Sequence, residues 1–77
     1  MARSALIVAG TPITNTIRKL RFEHGEMTQQ ALADTCGITR QTVIALEAGK
    51  YAPSLDLAFR ISRAFGAGLD DVFQWDR

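Results

Sequence analysis

The sequence predicts an all-α domain of five short helices, and three observations carry that prediction. From residue 14 onward apolar residues recur three and four apart, and no run shows the period of two that a half-buried strand needs. Threonine or serine stands ahead of several of these stretches and glycine behind them, the punctuation of helix starts and stops. Size agrees: 77 residues, 47% hydrophobic and 22% charged, suit one small globular domain and not a disordered tail.

Residues 1–12 read as an N-terminal arm that closes on the turn signal Gly10-Thr11-Pro12. Within it Leu6-Ile7-Val8 fits a short strand, but the chain offers that strand no partner. Two readings stay open, a loose arm or pairing with a second subunit. Residues 13–77 form the domain. Helix one carries Ile13, Ile17 and Leu20 at spacings of four and three and stops near Gly25. Helix two has Thr28 as its cap. Met27 before it and Leu32 after it stand at the spacing of a hydrophobic staple, and Gly37 ends it. Helix three repeats the device, with Thr39 as cap, Ile38 set to pack on Val43, and a stop near Gly49. Pro53-Ser54 announces helix four, where Leu57, Ile61, Ala64 and Phe65 recur before Gly66. A fifth, short helix over about Asp70 to Phe73 has two acids favouring its start.

Composition excludes several functions. One cysteine, Cys36, permits no internal disulfide framework and suits a reducing, cytoplasmic setting. With the single His24 it makes no metal set, so no metal site and no cofactor is expected. The longest apolar run, residues 5–9, is far short of the roughly 20 residues that span a bilayer. It also lacks the pattern of a signal peptide, and no membrane association is expected. No phosphate-cradling loop or paired catalytic carboxylates are present, so an enzyme is not expected, nor is a small-molecule ligand. The net charge of +1 does not by itself advertise nucleic acid. Its distribution is uneven: in residues 1–25 Arg3, Arg18, Lys19 and Arg21 face only Glu23, whereas the remainder leans acidic. Such a binder leans on few phosphate contacts and on pairing two copies.

Helices two and three are joined through Gly37 and Ile38 alone, the short glycine-containing turn that crosses two helices at a steep angle. Ala33 stands where a larger side chain would meet the third helix. With Gln29 counted as position one, Ala33, Gly37 and Val43 occupy positions five, nine and fifteen within the unit spanning residues 28–48. The run Gln29-Gln30-Ala31-Leu32-Ala33 through Gly37-Ile38-Thr39-Arg40-Gln41-Thr42-Val43 to Leu46-Glu47-Ala48-Gly49-Lys50 resembles the phage-repressor and Cro-like (XRE) helix-turn-helix regulators. The likeness covers roughly residues 13–75 and is similar to the short, stand-alone bacterial members. It implies a compact, five-helix, lambda-repressor-like DNA-binding domain. One departure is His24-Gly25-Glu26-Met27-Thr28, a residue longer than the family's usual Gly-Leu-Thr-Gln junction.

Helical geometry assigns roles to helix three on its own terms. At about 100° per residue, Val43 and Leu46 face inward while Gln41, Ile44 and Ala45 face outward, flanked by Arg40 and Thr42. So small and apolar an outer face suits the major groove. Gln41 can pair bidentately with adenine, Arg40 can donate to guanine or phosphate, and Ile44 can touch a thymine methyl. Thr39 is chiefly the cap. Gln29, at the start of helix two, is placed for a phosphate, and Lys50 and Tyr51 are candidates for the adjacent DNA backbone. Arg18 and Lys19 are weaker candidates. The resemblance implies a structural role for Arg21 and Glu47, an ion pair tying helix one to the reading helix. It also implies a homodimer on a pseudo-palindromic operator of double-stranded DNA. Phe65, Leu69, Val72, Phe73 and Trp75 are more apolar mass than so small a core needs and form the candidate dimer interface. The expected function is a transcriptional repressor. The alternatives are an antitoxin or restriction-modification controller of the same fold, or a protein-interaction module that binds no DNA.

Overall fold

A computed structural model of the chain describes residues 11–76. The arm's Leu6-Ile7-Val8 lies outside the described residues. Seven elements follow in order: β1 (Ile13–Asn15), α1 (Ile17–Glu23), α2 (Gln29–Cys36), α3 (Arg40–Glu47), α4 (Leu55–Phe65), α5 (Leu69–Val72) and β2 (Phe73–Trp75). The five helices stand as expected. The strands are additional, and they correct the start of helix one. Ile13 does not belong to the first helix; it begins a two-stranded antiparallel ribbon in register Ile13↔Trp75, Thr14↔Gln74, Asn15↔Phe73. Backbone bonds flank the ribbon on both sides, from Thr16 N–H to the Val72 carbonyl at 2.9 Å and from Asp76 N–H to the Pro12 carbonyl at 2.8 Å. Phe73, expected at the end of helix five, opens β2.

Capping explains why the helices start where they do. Thr28, Thr39 and Ser54 hold extended backbone angles, and each side-chain hydroxyl accepts the N–H three residues on, at Ala31, Thr42 and Leu57. Gly37 and Gly66 end α2 and α4 in the left-handed conformation, where a side chain would be strained. Helix α1 lacks a hydroxyl cap. Asn15 serves it from the ribbon, its Oδ1 accepting the Ile17 N–H at 3.1 Å.

The core gathers one face from every helix: Ile17 from α1, Leu32, Ala33 and Cys36 from α2, Val43 and Leu46 from α3, Ile61 and Phe65 from α4, Val72 from α5. Met27 and Ile38, the staple residues, pack at its margin with Tyr51. Two of the expected interface residues, Phe65 and Val72, are therefore interior: they are 5% and 0% exposed. A domain of this size needs them to close its core.

Candidate nucleic-acid interface

The α2–turn–α3 unit is built on Ala33, fully buried, and on Gly37, whose φ of 72° makes the turn. Ala33 also bonds around the corner, its carbonyl accepting the Ile38 N–H at 3.0 Å. With Val43 and Leu46 drawn into the core, α3 turns Arg40, Gln41 and Ile44 to solvent, Ile44 being 40% exposed. No charge stands among the outward residues of α3 after Arg40, an unusual face for a helix in water. Thr39 and Thr42 are spoken for locally: their hydroxyls lie 3.0 Å apart, and the Thr42 N–H donates to Thr39. Ala45 is half-buried beside them and Ala48 exposed.

A polar network locks α3 against α1 and α2. The Arg21 guanidinium donates from Nε to Glu47 Oε2 at 2.6 Å and from Nη2 to Oε1 at 3.0 Å, a bidentate pair with both side chains mostly buried. Its third nitrogen, Nη1, donates to the Met27 carbonyl at 2.8 Å. Gln29 Nε2 donates to Glu47 Oε1 at 3.1 Å. One carboxylate thus accepts from two helices and fixes the angle of a third. From the ribbon, Asn15 Nδ2 donates to the Leu46 carbonyl at 2.8 Å, a second donor for an oxygen in the last turn of α3 that also accepts the Gly49 N–H at 3.0 Å.

Several placements differ from what spacing alone suggests. Gln29, at the start of α2, is half-buried with its amide spent on Glu47 and not free for a phosphate. Tyr51 packs against the core, whereas Lys50 is exposed. Asn15 was not singled out by sequence, although an asparagine two residues ahead of an apolar helical stretch is a capping signal. The long junction before α2 is accommodated by two successive left-handed residues, Gly25 at φ 73° and Glu26 at φ 56°. Met27 then resumes the path, its N–H donating to the Arg21 carbonyl at 2.8 Å. His24 closes α1 with a ring nitrogen 2.9 Å from the Leu20 carbonyl, and the other 3.0 Å from the Phe65 carbonyl. Its ring meets Phe65 edge-on at 5.2 Å, a packing contact. Among the described residues no three metal-ligating side chains come together, and no helix is long and apolar enough to cross a membrane.

Comparison with known proteins agrees with this geometry. The helix-turn-helix family matches residues 17–72, from the first residue of α1 to the last of α5. An HTH-type transcriptional regulator of Methanothermobacter thermautotrophicus, itself uncharacterised, is 54% identical over 61 residues, 78% of this chain and 87% of that protein. One from Archaeoglobus fulgidus is 48% identical over 60 residues, covering 78% and 84%. YgzD of Bacillus subtilis, another uncharacterised HTH-type regulator, is 48% identical over 59 residues, covering 77% and 88%. In fold, the chain is similar to a solved structure from Bacteroides fragilis, described as a candidate DNA-binding protein. The TM-score is 0.69 at 19% identity, over 80% of this chain and 98% of that one. A capped, glycine-turned helix pair, its second helix held by a buried ion pair, and relatives of this closeness place the chain in the XRE-type helix-turn-helix family, whose members are DNA-binding transcriptional regulators and not enzymes.

Proposed function

We propose that the chain is a repressor that binds a pseudo-palindromic operator as a two-fold dimer, with α3 lying in the major groove. The observation that carries this reading is the outer face of α3: Arg40, Gln41 and Ile44 are exposed together on a helix fixed by the Arg21–Glu47–Gln29 network. A reading helix must be rigid before it meets DNA, because a loose one loses discrimination to ordering entropy. Arg40 and Gln41 supply donors for base edges, and Ile44 supplies an apolar contact for a thymine methyl. Lys50 serves an adjacent phosphate, with Thr39 and Thr42 setting the start of the helix and Tyr51 buttressing its end.

The dimer surface differs from the five residues expected. With Phe65 and Val72 in the core, Leu69, Phe73 and Trp75 remain, and Ile13, Pro53 and Leu55 continue the same apolar face. Trp75 is 67% exposed and Leu55 66%. A two-fold contact through this face supplies the second half-site that one helix in one groove cannot read.

Selection of bound duplexes from random DNA tests the reading. The expected product is a palindromic consensus with half-sites about one helical turn apart. Gln41→Ala is expected to lose about ten- to a hundredfold in preference at one base pair per half-site while keeping the fold. Enrichment of no sequence, or an unchanged preference in Gln41→Ala, overturns it.

A further inference from the structure

Helix α1 turns Ile17, Leu20 and Arg21 inward and keeps a second face that the network around Glu47 does not use. Arg18 and Phe22 stand four residues apart on it, so their side chains lie over one another, with Lys19 beside them. Phe22 is 69% exposed, the most exposed of the large apolar residues described. Single exposed apolar residues are ordinary. Its location is what matters: two shallow hollows meet at Arg18 and Phe22. One runs across Asn15 and Thr16 to Glu47 at the foot of α3; the other crosses Glu26 and Met27 to Thr28, the cap of α2. The α1 face is thus continuous with both helices of the reading unit.

Charge says what fits there. Among the described residues neither Arg18 nor Lys19 has a carboxylate within ion-pair distance. The carboxylates on the hollow walls are Glu26 and Glu47, and Glu47 is already held by Arg21. We infer that this face of α1 is a second DNA contact, outside the base pairs read by α3, in which Arg18 meets a backbone phosphate and Phe22 packs on the neighbouring deoxyribose. The inference rests on the DNA reading proposed above and extends its footprint. A protein partner fits less well. Phe22 shares its hollows with Arg18, Lys19 and Glu26, whereas the centre of a protein interface is depleted of charge.

The test uses the full chain and the duplex that selection enriches most strongly, with affinity measured from 50 to 300 mM salt. Each phosphate contact contributes about 0.9 to the slope of log affinity against log salt, or on the order of eightfold at 0.1 M. Arg18→Ala is expected to lower the slope by about 0.9 and weaken binding to all sequences alike. Arg18→Lys is expected to keep the slope. Phe22→Ala is expected to weaken binding about threefold at unchanged slope, the loss of an apolar contact and not of a charge. Both side chains are exposed, so an unchanged melting temperature is the control for folding. Wild-type affinity and slope in Arg18→Ala overturn this inference alone, leaving the α3 reading intact. Failure of the wild-type chain to select any DNA overturns both.

Discussion

The reading side and the ribbon side of this domain are held together by opposite means. On the reading side, Arg21, Gln29 and Glu47 make directional contacts in which all three Arg21 guanidinium nitrogens and both Glu47 oxygens have a partner, and the exposed surface is left for another molecule. On the ribbon side the contacts are mainly backbone bonds between three-residue strands, with few side-chain bonds beyond those of Asn15 and Thr16, and an apolar face with Leu55, Trp75 and part of Leu69 and Phe73 open to solvent. Polar fixation gives a helix one orientation, which base readout demands. Apolar packing tolerates small shifts, which suits a surface that must adapt to a second copy.

That contrast sets the size of the expected effects. Arg21→Ala strips Glu47 of both guanidinium bonds and the Met27 carbonyl of its donor in a mostly buried place. A fall in unfolding free energy of about 2–3 kcal/mol follows from leaving such a carboxylate uncompensated. Replacing both partners, as in Arg21→Met with Glu47→Leu, is expected to recover most of that stability and none of the DNA affinity, since α3 loses its fixed angle. Urea unfolding of the three chains decides it. An Arg21→Ala chain as stable as wild type would mean the network orients α3 without holding the fold.

Trp75→Ala probes the other side. Its partner in the ribbon is Ile13, and a cross-strand pair of this kind is worth up to about 1 kcal/mol, so monomer stability moves little. Assembly is expected to move much more, with sedimentation shifting from dimer to monomer at micromolar concentration. A chain that is monomeric before the substitution overturns the dimer reading.

The same contrast governs how much could be seen in the sequence. The reading side is written locally. Thr28, Gly37 and Thr39 fix two helices and their turn within a dozen residues, and the spacing of Val43 and Leu46 fixes which side of α3 faces out. The ribbon is not written locally. Its strands are too short to show alternation, and they pair across some sixty residues, so Ile13 passed for the first turn of α1. Phe65 and Val72 are ambiguous for a similar reason: an apolar residue near the end of a chain serves a core or an interface equally well until the packing is known. The role of Asn15 toward Leu46 depends on that unseen ribbon too.

Cys36 joins the two sides and offers the smallest effect. It is buried on α2, and α4 reaches it through Arg60, whose Nη1 donates to the Cys36 carbonyl at 3.3 Å. Burial pushes its thiol up from the usual value, and the nearby Arg60 charge offsets part of that rise. A raised value in the folded chain means the neutral thiol is favoured there, whereas the unfolded thiol ionises near pH 8.5. Its share of stability is therefore full below about pH 8.5 and is lost as pH climbs toward the folded value. Between pH 7 and 9.5 the wild-type chain is expected to lose more stability than Cys36→Ala does over the same range, by no more than about 1.4 kcal/mol. The comparison of slopes cancels both the cavity left by the substitution and the titration of groups common to the two chains. Parallel slopes would mean that the thiolate is tolerated where it forms, and that Arg60 compensates for burial at the seam between the reading helices and α4.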